Sequence, residues 1–251
     1  MTVNAALYTA VLHLAAAVDA PTCARWRDAA DRGIAAAYER NGANGSASSA
    51  SLRLCDVDGL DADEVLKTLW RDPLRSACEA RLGPRLVCDL DRCWLRRQYA
   101  PGNRPAGHHP HSWHQDGALG FDFVAHTAPP WPAHALAEML TCWIALVPCG
   151  VDAPGLEFAG RGCNGLLAPA DLDEAQVRAR FDPIDLMRPA LAAGDALLFA
   201  GDVLHRTCVL PAMTRDRISL ELRIFPADRI AGRLAADRFS PLPGDARRSG
   251  S

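Results

Sequence analysis

The stretch His111-Ser112-Trp113-His114-Gln115-Asp116-Gly117 places an imidazole and a carboxylate two residues apart. Side chains alternate between the two faces of an extended strand, so we expect His114 and Asp116 to point to the same side. Imidazole and carboxylate groups both bind divalent metals. The spacing therefore predicts part of a metal site, carried by a β-strand, that needs a further ligand.

The His-x-acid pattern alone is a weak signal, because 8 His and 30 acidic residues among 251 positions give about one such pattern by chance. A third ligand is offered downstream in Gly201-Asp202-Val203-Leu204-His205. Two imidazoles and one carboxylate on one face of an ion leave the opposite face open, as in non-haem Fe(II) oxygenases. His205 is therefore the candidate that completes the set.

The segment from Arg217 to Ile224 alternates polar and apolar residues, which is typical of a strand with one polar and one apolar face. Arg217 and Ser219 fall on the polar face, together with Glu221 and Arg223. A fixed guanidinium beside a hydroxyl is suited to bind a carboxylate, because the guanidinium fork donates two parallel hydrogen bonds. The apolar face is expected to pack on helices or on a second sheet.

The ordered set of His114-x-Asp116, His205, Arg217 and Ser219 resembles the Fe(II)/2-oxoglutarate-dependent dioxygenases, and within them the phytanoyl-CoA dioxygenase family. The resemblance runs from about position 94 to position 225. It implies a mainly β fold, the double-stranded β-helix or cupin-like jelly roll, flanked by N-terminal helices. It also implies that His114, Asp116 and His205 hold iron, and that Arg217 and Ser219 bind the distal carboxylate of 2-oxoglutarate.

The same resemblance implies two more cosubstrate contacts. Trp143, in Cys142-Trp143-Ile144-Ala145-Leu146, falls where the family often has a tryptophan beside the cosubstrate, and Gln98 lies on the strand before the metal motif. Members of the family that act on acyl-CoA often carry a Gly-Ser-His stretch after the middle strands. Residues 158–165 lack it, which argues against an acyl-CoA substrate.

The resemblance implies Fe(II), 2-oxoglutarate and O2 as the reaction partners, with release of succinate and CO2. Hydroxylation of a small molecule, such as a specialised metabolite or an amino-acid derivative, is the expected outcome. Desaturation, epoxidation and cyclisation stay open, as does a cupin-like isomerase or hydrolase that uses the same ligands around zinc. A catalytically silent barrel would bind neither metal nor cosubstrate.

The composition predicts one domain and a small-molecule ligand. A length of 251 residues, 49% of them hydrophobic, suits a single β-rich domain with a sizeable core. A net charge of −3 does not suggest nucleic acid or an anionic membrane as a partner. The nine cysteines show no C-x-x-C pair, which predicts reduced thiols and a cytoplasmic location. The oligomeric state is not predicted.

The order of elements predicts an N-terminal helical layer over residues 1–84, a β core over 85–228 and a C-terminal tail over 229–251, whose last five residues we expect to be disordered. Helices are expected over 4–20, 23–40, 61–82 and 171–180. The apolar run 5–20 is interpreted as an amphipathic helix, because no Lys or Arg precedes it as in a secretory signal. Strands are expected over 86–89, 93–99, 139–148, 155–158, 187–191, 196–199 and 217–225. The connection from 117 to 134 is expected to form part of the substrate wall.

Several other residues near these motifs could take part in the site or lie outside it. His108, His109 and His111 could form a metal cluster of their own, but we expect them to be loop residues near the cavity mouth. Arg223 could contact substrate or simply end the exposed side of its strand. Arg161 is expected to be an exposed loop residue.

Overall fold

A computed structural model describes residues 10–41, 50–118, 136–159, 163, 165–181, 183–230 and 239–242 of the chain. The helices are α1 (Ala20–Asn41), α2 (Ala62–Leu69), α3 (Leu74–Leu82) and α4 (Glu174–Arg180). The strands are β1 (Val11–Leu14), β2 (Ser51–Arg53), β3 (Leu86–Asp89), β4 (Trp94–Gln98), β5 (Leu140–Ala145), β6 (Gly155–Ala159), β7 (Leu186–Met187), β8 (Ala196–Ala200), β9 (His205–Cys208), β10 (Arg217–Pro226) and β11 (Phe239–Pro241).

Strand β10 is the central strand of the larger sheet. It pairs with β5 along one edge, and with β4 and then β3 along the other. Strands β8 and β1 extend the sheet beyond β5, β11 adds to β3, and β2 adds to β4. A second sheet has the order β7-β6-β9, and every pairing in both sheets is antiparallel.

One face of the larger sheet packs against the helices. The apolar residues of β10 join a buried cluster that also includes Trp26 of α1, Leu66 of α2 and Cys78 of α3. These β10 residues are Ile218, Leu220, Leu222 and Ile224. The predicted packing of this strand face on the N-terminal helices is therefore confirmed.

The other face of the larger sheet packs against the smaller sheet. Trp143 of β5 and Phe199 of β8 lie in one buried cluster with Leu156 and Phe158 of β6. Two antiparallel sheets stacked face to face, with helices outside, form the sandwich expected for a jelly roll. The predicted fold class, mainly β with flanking N-terminal helices, is confirmed.

The helix predicted over residues 4–20 is wrong where the structure describes it. Residues 11–14 form strand β1, which pairs with β8 in the register Val11 to Phe199 through Leu14 to Ala196. A short apolar run fits either a strand or a buried helix, and pairing with a sheet edge decides the outcome here. Residues 4–9 lie outside the described part of the chain.

Other predicted elements need smaller corrections. The helix predicted over 61–82 is two helices, because the residue before Pro73 is disfavoured in the helical conformation. The strand predicted over 187–191 is limited to Leu186–Met187. The predicted C-terminal tail contains β11, which pairs with β3; residues 247–251 lie outside the described part. Strand β2 also lies within the predicted helical layer.

None of the described helices combines the length and the apolar character needed to cross a bilayer. All nine cysteines are free, and most are buried. Burial raises the pKa of Cys78 to about 12, so this thiol stays protonated. The cytoplasmic location stays a prediction.

Candidate metal and cosubstrate site

The metal motif (residues 111–117) and the His205 segment (residues 201–205) meet through their backbones. His114 N donates to His205 O at 2.9 Å, and His205 N donates to His114 O at 3.0 Å. Gly117 N also donates to Gly201 O at 2.8 Å. A Cβ atom on Gly117 would lie only 2.9 Å from that oxygen, so a side chain there would separate the two segments.

The motif is not a regular strand as predicted: His114 forms a single bridge pair, and Asp116–Ala118 form a 3₁₀ turn. Gln115 nevertheless points away from its two neighbours. Its amide nitrogen donates to Asp202 O at 2.7 Å and to Gly165 O at 2.8 Å. The side chain between the two metal-ligand candidates thus holds the His205 segment in place.

His114, Asp116 and His205 converge on one point, with one ligand atom from each lying within 4.8 Å of the others. His114 Nε2 is 3.8 Å from Asp116 Oδ1, and His205 Nε2 is 3.6 Å from Asp116 Oδ2. These distances leave room for an ion among the three groups, since metal to nitrogen or oxygen bonds are about 2.0–2.2 Å long. The predicted juxtaposition of the three side chains is observed.

The two imidazoles are oriented for metal binding by their second ring nitrogens. His114 Nδ1 is 2.7 Å from Ser112 O, and His205 Nδ1 is 3.0 Å from Val203 O. A carbonyl can only accept, so each Nδ1 carries the hydrogen and each Nε2 presents its lone pair to the ion. Burial, with His114 beside it, lowers the pKa of His205 to about 4, which keeps this ligand neutral at pH 7.

Asp116 is fixed by two donors that the sequence reading did not assign to it. Arg223 Nη2 donates to Oδ1 at 2.9 Å, and Thr141 Oγ1 donates to Oδ2 at 2.6 Å. Burial alone would raise the pKa of Asp116, but the charge of Arg223 and the nearby His205 and His114 hold it well below its ordinary value. The carboxylate is therefore ionised, as a metal ligand must be.

A chain of polar contacts continues from Arg223 through the buried Glu221 to Arg96 and His111. Glu221 Oε2 accepts from Arg223 Nη2 at 3.5 Å and from Arg96 Nε at 3.1 Å. Arg96 in turn lies 3.3 Å from His111 Nε2. Arg223 is 8% exposed, so of its two alternative interpretations the exposed strand end is excluded. Its place on the polar face of β10, two positions from Glu221, was the available signal for this network.

The triad lines a cavity of about 180 Å³. Arg217, Trp143 and Gln98 line this cavity together with the three metal-ligand candidates. Arg217 is 2% exposed, and the Trp143 ring lies beneath its guanidinium, 5.0 Å from centroid to Cζ. Gln98 lies opposite Arg217 in the pairing of β4 with β10. The structure thus brings these three residues to the same cavity.

Several buried polar atoms of this cavity region have no hydrogen-bond partner among the described residues: Arg217 Nε and Nη1, Ser219 Oγ and Trp143 Nε1. A buried donor without a partner is costly, and native structures rarely leave one. A carboxylate placed at Arg217 would accept from its guanidinium. This part of the site is therefore suited to an anionic ligand.

The alternative histidine cluster does not form a metal site. The three metal-ligand candidates are the only group of three such residues with converging ligand atoms in the described part of the chain. His108, His109 and His111 line the cavity instead. Arg161 and the segment 119–135, which covers most of the predicted substrate wall, lie outside the described residues.

We expect Thr141→Val to weaken iron binding about tenfold without unfolding the protein, because hydrogen bonds that orient a metal ligand typically contribute 10–100-fold in affinity. Valine keeps the shape of Thr141 but cannot donate to Asp116 Oδ2. The affinity is measured by anaerobic Fe(II) competition against a chelator. Thr214→Val, at an exposed threonine, is the control; equal affinities of the two variants would remove Thr141 from this role.

The chain is similar to a known protein family in sequence and to solved structures in fold. The family profile described as phytanoyl-CoA dioxygenase (PhyH) matches residues 11–208. No curated protein matches the sequence significantly. Many solved structures do match the fold.

One such structure is the epimerase SnoN from nogalamycin biosynthesis, with a TM-score of 0.62, 16% identity, and coverage of 93% of this chain and 94% of SnoN. SnoN has also been solved with Fe3+, α-ketoglutarate and nogalamycin RO. The carbocyclase SnoK gives 0.56, 14% identity and coverage of 93% and 92%. The non-haem monooxygenase ThoJ gives 0.55, 15% identity and coverage of 94% and 77%. At these identities the likeness concerns the fold.

Proposed function

This chain belongs to the phytanoyl-CoA dioxygenase family. From that premise we propose that it hydroxylates a small organic molecule with 2-oxoglutarate and O2 as cosubstrates. The family places it among the non-haem Fe(II)/2-oxoglutarate-dependent dioxygenases, which release succinate and CO2. A specialised metabolite or an amino-acid derivative is the proposed substrate class. The observation that carries the proposal is that the metal triad and Arg217 line one cavity, and that Arg217 Nε and Nη1 are buried without a hydrogen-bond partner among the described residues.

In this proposal His114, Asp116 and His205 hold the iron, and their arrangement leaves the cavity side of the ion open. When bound, ferrous iron supplies the electron that O2 needs, and it couples O2 reduction to decarboxylation of the 2-oxo acid; zinc cannot do this. Thr141 and Arg223 hold the Asp116 carboxylate in one orientation. Thr141 and Arg223 thus keep the Asp116 carboxylate ionised and oriented before the cosubstrate binds.

Arg217 and Ser219 are proposed to bind the distal carboxylate of 2-oxoglutarate. The guanidinium is already desolvated and fixed over Trp143, so little side-chain freedom is lost when the anion binds. Trp143 Nε1 and Gln98 are proposed as further contacts at the same end of the cavity. Because these groups are buried, water is excluded from the bound cosubstrate and the hydrogen bonds are strengthened.

Desaturation, epoxidation and cyclisation are the alternatives to hydroxylation. The solved structures with this fold include an epimerase, a carbocyclase and a monooxygenase, so the fold is compatible with different reactions. Hydroxylation needs no special feature beyond the triad and the cosubstrate. Desaturation or oxidative cyclisation would give a product lighter by two hydrogen atoms. Epoxidation adds one oxygen atom, as hydroxylation does, and would be recognised from the NMR spectrum of the product.

The test is a substrate panel scored by succinate release from anaerobically iron-loaded protein after O2 is admitted. We expect release that requires 2-oxoglutarate, O2 and one of the panel compounds, with a product heavier by one oxygen atom. Zinc-loaded protein is the matched control. Turnover of a panel compound by the zinc form, without consumption of 2-oxoglutarate, would instead support the non-redox isomerase or hydrolase.

A further inference from the structure

His108 is a buried histidine at the end of the cavity that contains Arg217. It is 7% exposed and lines the cavity. Neither of its ring nitrogens has a hydrogen-bond partner among the described residues. An imidazole always carries at least one N–H, so a donor is left buried and unsatisfied.

The loop that carries His108 is attached to the start of β10. Asp216, the residue before Arg217, accepts from Ala100 N at 3.0 Å and from Asn103 Nδ2 at 2.9 Å. Tyr99 follows Gln98, the register partner of Arg217, and its ring packs edge-on against the His108 ring at 5.1 Å. These contacts fix the position of His108 relative to Arg217.

His108 is neutral and lies within the electrostatic reach of Arg217. Burial is the main cause that lowers its pKa, with contributions from the charges of Arg104, His109 and Arg217. A second cation would be repelled from this end of the cavity, whereas an anion beside Arg217 would accept a hydrogen bond from the imidazole N–H. The unsatisfied groups of His108 and Arg217 therefore favour the same kind of ligand.

We propose that His108 is a further cosubstrate-binding residue, which donates a hydrogen bond to the distal carboxylate of 2-oxoglutarate alongside Arg217 and Ser219. This inference rests on the proposed function. It adds a contact from the loop between β4 and the metal motif, so that the bound cosubstrate would connect this loop to β10. The carboxylate would then be enclosed from both sides rather than held by one strand.

The test compares His108→Phe with His108→Gln. Phenylalanine keeps a ring against Tyr99 but removes both nitrogens, whereas glutamine restores an N–H donor. Binding is measured anaerobically, without substrate, by titrating Fe(II)-loaded protein with 2-oxoglutarate and following the visible charge-transfer band. We expect the Kd of His108→Phe to rise about tenfold, which corresponds to about 1.4 kcal/mol. His108→Gln should retain part of the affinity.

A cosubstrate analogue locates the contact. In 2-oxopentanoate a methyl group replaces the distal carboxylate, so its Kd should be the same for wild-type protein and His108→Phe. Gly102→Ala, at an exposed residue of the same loop where an added Cβ atom has no described neighbour within 4 Å, is the control and should leave both affinities unchanged. Thermal unfolding and Fe(II) affinity, measured for each variant, show whether the fold and the metal site are intact.

The outcomes separate this proposal from the one on which it rests. If wild-type protein binds 2-oxoglutarate and His108→Phe binds it equally well, His108 is not a cosubstrate contact and the proposed function stands. An equal loss of affinity for 2-oxopentanoate would also overturn the proposal, because the effect would not depend on the carboxylate. If wild-type protein does not bind 2-oxoglutarate at all, both proposals fail.

Discussion

Asp116→Ala is expected to abolish both stoichiometric iron binding and substrate-dependent succinate formation. The variant removes the anionic ligand, which leaves two neutral imidazoles and the Arg223 cation facing the ion. A divalent ion beside a guanidinium, with no carboxylate between the two cations, is electrostatically unfavourable. Iron content after anaerobic reconstitution and succinate release both measure the effect. Asp58→Ala, at an exposed aspartate, is the control and should behave as wild type.

His205→Ala provides an independent version of the same test. It removes a ligand without leaving a buried charge unpaired, so loss of iron cannot be ascribed to loss of the fold if thermal unfolding is unchanged. We expect the same loss of iron and of succinate formation as for Asp116→Ala. Full iron occupancy and activity in either folded variant would show that the metal site lies elsewhere.

Arg217→Ala is expected to raise the KM for 2-oxoglutarate about 100-fold, because two charge-assisted hydrogen bonds contribute about 1.5 kcal/mol or more each. The KM for the organic substrate should change little, since the guanidinium lies beside Trp143 at the cosubstrate end of the cavity. Initial rates of succinate formation, measured while each reactant is varied, give both constants.

The control for Arg217 is Arg215→Ala. Arg215 lies two positions earlier, is half exposed and pairs with Asp152 at the surface, so its loss should leave both constants unchanged. Arg217→Lys should recover only part of the affinity, because an ammonium keeps the charge without the planar fork. A rise in both KM values by the same factor for Arg217→Ala would remove Arg217 from the proposed role.

The site elements that could be predicted from the sequence are those with a local periodic signal. The alternation in β10 predicted both its apolar face on the helices and the common direction of Arg217 and Ser219. The His114-x-Asp116 spacing, combined with the family resemblance, predicted a triad with His205. In each case a period of two residues relates sequence position to the direction of the side chain.

The features that sequence reasoning missed depend on contacts between distant segments. Strand β1 is a strand because it pairs with β8, and nothing in its four residues requires that choice. The donation from Thr141 to Asp116 joins β5 to the metal motif across 25 positions. The turn that replaces a regular strand at Asp116 follows from the close approach of Gly117 and Gly201. Pairing partners of this kind are set by tertiary structure rather than by local propensity.

The most direct test of the central claim is a crystal structure of the protein grown anaerobically with Fe(II) and 2-oxoglutarate, with anomalous diffraction recorded at the iron edge. We predict one anomalous peak within bonding distance, about 2.0–2.2 Å, of His114 Nε2, His205 Nε2 and an Asp116 carboxylate oxygen. The distal carboxylate of 2-oxoglutarate should lie on Arg217. An iron peak at another group of residues, or a cosubstrate whose carboxylate points away from Arg217, would contradict the account.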